Sequence, residues 1–590
     1  EDVPLNEAEL AAVVNDPEIL RLLDQVEELD VPELDEVGVK KLIIQLERRI
    51  NDNEEMRVRF AKKPERFMAS EEALHEAIKK LHQITMTPRL YPIFLDLNAH
   101  GSILSLLSHE NADIAVAVVD FLEEFTDPDS LVREESVKNR VVAELEASDL
   151  PTLLMRNMER LHETDPDEAK AVQTSLSVVE NLIELRPAFA RVMVQRSTVL
   201  EWLLKRLQSK GYDSNKLSTS EMLAILVQND ARAQKHFGKL DGVLAVLTAV
   251  SYYKKRDPKS MEEEEYVENL FDILCSALLL YRNKERFLDA DGVELLLYII
   301  KGRRYARICA LRLLDFALTE FPEACDRLVE CLGLRTVFSI FMHKDLKKVK
   351  KLKNYSEDEE DEHVLSLVSS LLTLTTTPAF RHRVFFKFVE NEFEKVERLM
   401  ELFNKYYTKM TFFMRRLEAG VDATIDMIET DADLYARRLE AGLYRLQLVC
   451  LIMAHVADSV YCQNEKQTAR QKLFELFSLQ ETPVSAAYAI VVEYLEYFNV
   501  EGGEDRVAVQ DELLRVVQSL NEGRAPSISG DSDMKAEPSS PGSGKGAQEQ
   551  PGGLHETPAD DVSDKCAVPR RDHGHRDADD EPPAKRRKRE

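Results

Sequence analysis

A chain of 590 residues is longer than a single compact core can organise, so it forms several domains or one extended array. Hydrophobic residues make up 44%, Gly and Pro number only 20 and 22, and helix formers outnumber alternating Val/Ile/Thr runs, which excludes loop-rich β architecture and points to an all-α chain. Formal charge is −29; residues 521–590 hold 12 basic and 15 acidic side chains, so the rest carries −26, which repels phosphate backbones, disfavours direct nucleic-acid binding and favours basic partners. The seven cysteines are scattered without a CxxC pair, so neither a disulfide framework nor a zinc site is expected, and a reducing compartment fits. The most apolar run, Leu443 to Val456, is interrupted by Arg445, Gln447 and His455 and reads as too short to span a bilayer; with no secretory signal at the start, the chain reads as soluble, without membrane association.

In chain order, residues 1–60 are acidic and helical in pattern. Leu20, Leu22, Leu23 and Val26 form one apolar group, and Val39, Leu42, Ile43, Leu46 and Ile50 another, as expected of an N-terminal helical cap on a stack. Residues 61–380 read as a repeat array. Its clearest unit spans Tyr91 to Asp127: a short lead-in helix, Gly101, a second helix to Leu107, a polar turn, then a third helix capped by Asn111 and ending at Phe125. Ile114, Ala117, Val118, Phe121, Leu122 and Phe125 share one face of that helix, which a lone unit cannot bury. Second helices begin near Gly101, Leu150, Val199, Gly242, Gly292 and Gly333, in steps of 49, 49, 43, 50 and 41 residues, close to the ~40–47 of armadillo and HEAT units. Phe237 stands five residues before Gly242, Phe287 before Gly292 and Leu328 before Gly333, and the glycines are expected to supply positive φ between helices. Three helices per unit favours an armadillo superhelix.

Residues 343–363, a basic run followed by an acidic one, are expected to form a mobile, self-neutralising loop, with Ser356 in the setting of an acid-directed phosphorylation site. Residues 381–520 remain helical in pattern without the repeat period, as a C-terminal helical domain. Residues 521–590, rich in Ser, Gly, Pro and Asp, read as a disordered tail. It ends in the cluster Lys585, Arg586, Arg587, Lys588 and Arg589, which has the form of a nuclear localisation signal.

Gly542-Ser-Gly-Lys-Gly546 lies in that tail without the flanking strand and helix of a phosphate loop, and His573 and His575 have no partner ligands in the sequence around them. No Ser/His/Asp or Cys/His set is arguable, so the expectation is a protein that is not an enzyme, with no catalytic residues, cofactor or metal.

One constellation recurs. Aligning the third helices places Asp120, Glu180 and Glu268 at one position and Glu124, Glu184 and Asp272 one turn later; Glu221 and Asp315 fall on the first position in the remaining units. Third helices of an armadillo stack line its inner surface, so these carboxylates predict an acidic groove for a Lys/Arg-rich peptide, with Asn181 and Asn269 available to its backbone. Exposed charge pairs contribute only ~0.2–1 kcal/mol each, which suits reversible capture.

The segments Arg57-Val-Arg-Phe-Ala-Lys-Lys-Pro-Glu-Arg-Phe-Met-Ala-Ser-Glu71, LNAHGSILSLLSHENADIAVAVVDFLEE (97–124), SEMLAILVQ (220–228), ENLFDILCSALL (268–279), LGLRTVFSIFM (332–342), ERLMELFNKY (397–406) and LYARRLEAGLYRLQ (434–447) resemble the beta-catenin-like protein 1 family, spliceosome-associated armadillo proteins. The resemblance runs from about residue 38 to about residue 500 and does not reach the tail. It implies a nuclear, non-enzymatic scaffold attached to the nineteen complex of the spliceosome, which binds localisation-signal-like basic peptides of splicing factors in support of pre-mRNA splicing. It leaves self-association open. It also places the family's targeting signal near the N-terminus, whereas the basic cluster here is C-terminal. The alternative is a nuclear-import adaptor, whose repeats hold lysine stems between Trp and Asn pairs; this chain has only Trp202.

Overall fold

The computed structural model describes residues 34–344, 346–419, 430–480 and 483–498, which lie in one compact unit. The Leu20–Val26 group, Cys566, the tail from 521 and the cluster Lys585–Arg589 lie outside the described residues. Among the described residues the fold is all-α, an armadillo-type stack, with one isolated bridge between Gln463 and Thr468.

The stack is organised by a ladder of helices, each touching the next: α1 (Glu36–Arg59), α2 (Met68–Thr85), α3 (Ala112–Phe125), α4 (Pro166–Leu185), α5 (Ser214–Val227), α6 (Met261–Ala277), α7 (Arg307–Leu318), α8 (Glu357–Leu374) and α9 (Tyr444–Asp458). Most of these starts are written in the sequence as N-caps. Asn111, Asp165, Asp213, Ser260 and Ser356 each accept a hydrogen bond from a backbone amide in the first turn of α3, α4, α5, α6 and α8, satisfying donors that would otherwise be orphaned. The predicted α3 face is buried throughout, with the Phe125 ring stacked 4.3 Å from Tyr91. Val39, Ile43, Leu46 and Ile50 of α1 are buried as well.

Between rungs lie two shorter helices per unit, as in Ala231–Lys239 with Gly242–Tyr252 and Tyr281–Asp289 with Gly292–Gly302. The second helices begin at Ala99, Leu150, Val199, Gly242, Gly292 and Leu334, within two residues of the sequence register. The glycines, however, do not supply the positive φ. That conformation falls on the residue before each: Asp241 (55°), Asp291 (55°) and Leu332 (57°), and likewise on Asn98 and Asp149. The glycines are required for space. A Cβ on Gly242 would lie 2.5 Å from the Phe237 ring, and one on Gly292 2.5 Å from Phe287, so each ring lies on bare backbone. The units share one continuous apolar core running from Val39 to Leu495.

The described residues of 343–356 are not the free loop expected. Val349 is buried, Lys350 pairs with Glu357 at 2.9 Å, and Asn354 donates to the Tyr305 carbonyl oxygen. The acidic half of the run is the first turn of α8, where carboxylates favour the helix dipole. The apolar helix also proves longer than Leu443–Val456: a continuous α–π–α run, Asp431–Asp458, is long and apolar enough to cross a membrane, yet 67% of its most apolar window is buried, and α9 packs against α8, the helix Glu390–Glu418 and the helix Val484–Phe498. It serves as a core rod of the stack.

Candidate functional site

The ladder helices carry the sequence-predicted acids, and tertiary neighbours divide them into two groups. Glu124 at the end of α3 is held by His82 Nδ1 at 2.6 Å and accepts from the Thr85 hydroxyl at 3.0 Å. Asp120 lies beside Glu123 in a cavity of about 540 Å³ that also holds Lys79 and Lys170. Burial, followed by the Asp120 charge, pushes the Glu123 carboxyl above its ordinary range.

Further along, the acids are matched within the chain. Glu268 on α6 accepts a 2.5 Å hydrogen bond from the Tyr305 hydroxyl, and Asp272 pairs with Arg312 of α7. Burial still leaves the Asp272 carboxyl raised despite that guanidinium. Asp315 departs furthest from expectation. It is 9% exposed and its carboxylate meets His363 Nδ1 at 3.0 Å, so it belongs to the α7–α8 contact and not to a ligand surface. Glu264, one turn before Glu268, receives Lys353 from the basic segment at 2.8 Å.

The asparagines also have structural work. Asn181 Nδ2 donates to the Glu123 carbonyl oxygen at 3.2 Å, tying α4 to the end of α3, and Asn269 Nδ2 donates to Ser220 Oγ at 3.3 Å, tying α6 to α5. One amide of each thus joins rungs.

What remains is a middle stretch over α4, α5 and α6. Glu180 and Glu184 are exposed, Glu221 is half-buried, and none of them forms an ion pair among the described residues. Glu221 lies close enough to Glu265 and Glu180 that burial first, then those two charges, raise its carboxyl above the usual glutamate range. Glu265, exposed and also without an ion-pair partner among the described residues, was missed by the repeat alignment because it sits three residues before Glu268. The signal available for it was the acidic run Glu262–Glu265 at the start of α6. Like charges gathered without compensation cost stability, and an approaching cation relieves that cost.

The described residues contain no group of three or more His, Cys, Asp or Glu able to hold a metal. Six cysteines are free thiols there; the Cys275 and Cys309 thiols are pushed up to about 12, chiefly by burial, and are poor nucleophiles.

Residues 17–491 match the family described as catenin-beta-like, Arm-motif containing nuclear. Beta-catenin-like protein 1 of Homo sapiens is 37% identical over 500 residues, covering 82% of this chain and 86% of the human protein. The Schizosaccharomyces pombe homologue is 30% identical over 512 residues, covering 84% and 86%. Among solved structures, a chain from work on a phosphorylation switch between cadherin and beta-catenin has a TM-score of 0.45 at 11% identity, covering 87% of this chain and 96% of that one. A SYS-1/POP-1 complex has 0.42 at 12%, covering 80% and 85%. Likeness of that size is too slight to carry a functional argument. The sequence relatives carry the assignment: this chain belongs to the catenin-beta-like family of armadillo-motif nuclear proteins.

Proposed function

We propose that this protein is a non-enzymatic nuclear scaffold of the spliceosome, associated with the nineteen complex, that captures Lys/Arg-rich, localisation-signal-like peptides of splicing factors on the ladder helices. The observation that supports this reading most is the cluster Glu180, Glu221 and Glu265, with Glu184 beside it, four carboxylates on three successive helices without an ion-pair partner among the described residues. A peptide with spaced cations meets this row in an extended conformation. Charge sets its on-rate and selectivity more than its affinity, as a reversible assembly contact needs. The groove is shorter than the sequence ladder: Glu268, Asp272 and Asp315 are held by Tyr305, Arg312 and His363, leaving the middle rungs as the peptide-facing stretch.

The import-adaptor reading draws no support from the side chains. Trp202 is the chain's only tryptophan, and it packs against the apolar core. The test is binding of a fluorescent Lys/Arg-rich peptide to the full chain and to the triple variant Glu180→Lys, Glu184→Lys, Glu221→Lys. Affinity is expected to fall at least about tenfold; an unchanged dissociation constant refutes the groove.

A further inference from the structure

A second cavity has the opposite polarity. It measures about 950 Å³ and opens beside the helices Gly292–Gly302, Leu334–Phe341 and Pro378–Phe386. In a chain of net charge −29, its wall carries Lys301, Arg303, Arg307, Arg335, Arg383 and Lys387 against two carboxylates. Those two are spent. Glu360 pairs with Arg307 in the buried contact between α7 and α8, and Glu390 is taken by Lys387 at 2.7 Å. Lys301 and Arg335 are exposed and form no ion pair among the described residues, and Arg383 rests its guanidinium over the Phe380 ring.

The rim is apolar. Leu332 is 66% exposed and Phe386 45% exposed, the latter stacked on His382 at 5.7 Å. Leu332 is a second, independent sign of use. At the equivalent left-handed position four other units place Asn98, Asp149, Asp241 and Asp291, whose short polar side chains tolerate that conformation, while the unit starting at Val199 has Thr198 at negative φ. Only beside this cavity is the position given to leucine, which is ill suited to the backbone and presents its side chain to solvent.

We propose that this cavity is a binding site for an acidic peptide segment bearing an apolar side chain, distinct from the acidic ladder. Lys301, Arg335 and Arg383 receive the carboxylates, and Leu332 and Phe386 receive the apolar group. A nucleic acid fits less well. A phosphate backbone is repelled at long range by the whole molecule and offers nothing to the exposed leucine, whereas a short peptide carries few charges and both kinds of group. One scaffold thereby holds a basic segment and an acidic segment at separate sites.

The experiment uses the full chain and a fluorescent synthetic peptide composed of Asp, Glu, Leu and Phe, with labelled oligouridylate as competitor class. The peptide is expected to bind, and the double variant Lys301→Glu, Arg335→Glu to lose at least about tenfold in affinity while binding the Lys/Arg-rich peptide as before. Leu332→Asn, which relieves the backbone, is expected to raise the thermal midpoint and still weaken the acidic peptide. The proposal is overturned if the wild-type chain does not bind the acidic peptide, if the double variant binds it equally well, or if oligouridylate binds more tightly than the peptide. Since the ladder is read with the basic peptide, failure of one site is distinguishable from failure of the other.

Discussion

The sixfold recurrence along this chain is decided at single residues. Gly292 illustrates how two effects of opposite sign compete. Alanine there would favour the helix by up to about 1 kcal/mol, but its Cβ would meet the buried Phe287 ring at 2.5 Å, and overpacking of that kind costs about 1–3 kcal/mol. Gly292→Ala is therefore expected to be net destabilising in urea unfolding. Gly302→Ala is the control, because its Cβ would meet only the Lys254 carbonyl oxygen at 3.6 Å, and it should be neutral or stabilising. The aromatic–glycine spacing was legible in the sequence, but its cause was not: φ belongs to the neighbouring Asp, and only coordinates show that the ring lies where a Cβ would be.

At the scale of elements, α7, α8 and the helix Glu390–Glu418 are joined by buried charge. Asp361, 1% exposed, accepts from Lys405 at 2.7 Å and from the Tyr406 hydroxyl at 2.8 Å, and meets His343 at 2.8 Å. Burial opposes its ionisation, but these partners more than offset it and hold the carboxyl down to about 2. A carboxyl lowered in the folded state stabilises above its unfolded value near 4, by about 2 kcal/mol here, and that contribution is lost as pH falls through about 2. Asp361→Asn is expected to cost about 1–3 kcal/mol at neutral pH, because hydrogen bonds to a buried carboxylate are lost while Lys405 keeps Glu357 at 3.2 Å and Asp358 at 3.3 Å. Over the interval from pH 4 down to pH 2, thermal melting of the variant should depend less on pH than that of the wild type; parallel curves would exclude Asp361 as a source of acid sensitivity. The acidic start of α8 was visible as a charge run, yet the segment read as loop, since the burial of Val349 depends on the rest of the stack.

For the molecule as a whole, charge is the governing quantity. Because Glu221 is raised by burial, Glu265 and Glu180, it takes up a proton sooner than an ordinary glutamate as pH falls, and a bound cation draws its proton off. Basic-peptide affinity is thus expected to start falling, as pH is lowered, before the usual glutamate range is reached, with proton release on binding measured by calorimetry in two buffers of different ionisation enthalpy. Glu221→Gln should abolish most of the release; equal release by the variant would exclude this carboxyl as its source.

The amino-acid sequence by itself determined the all-α class, the repeat register, the cap and apolar face of α3 and the excess of negative charge, because those follow from local periodicity, capping chemistry and composition. Only the tertiary structure decided which acids remain uncompensated. Glu268, Asp272 and Asp315 meet Tyr305, Arg312 and His363, residues 37 to 48 positions away, and Asn181 and Asn269 become ties between rungs. The basic cavity beside Leu332 was likewise invisible, since Lys301, Arg335 and Arg383 come from three separate helices. Charge pairing acts through space, and proximity across a stack is a property of the fold, not of spacing along the chain.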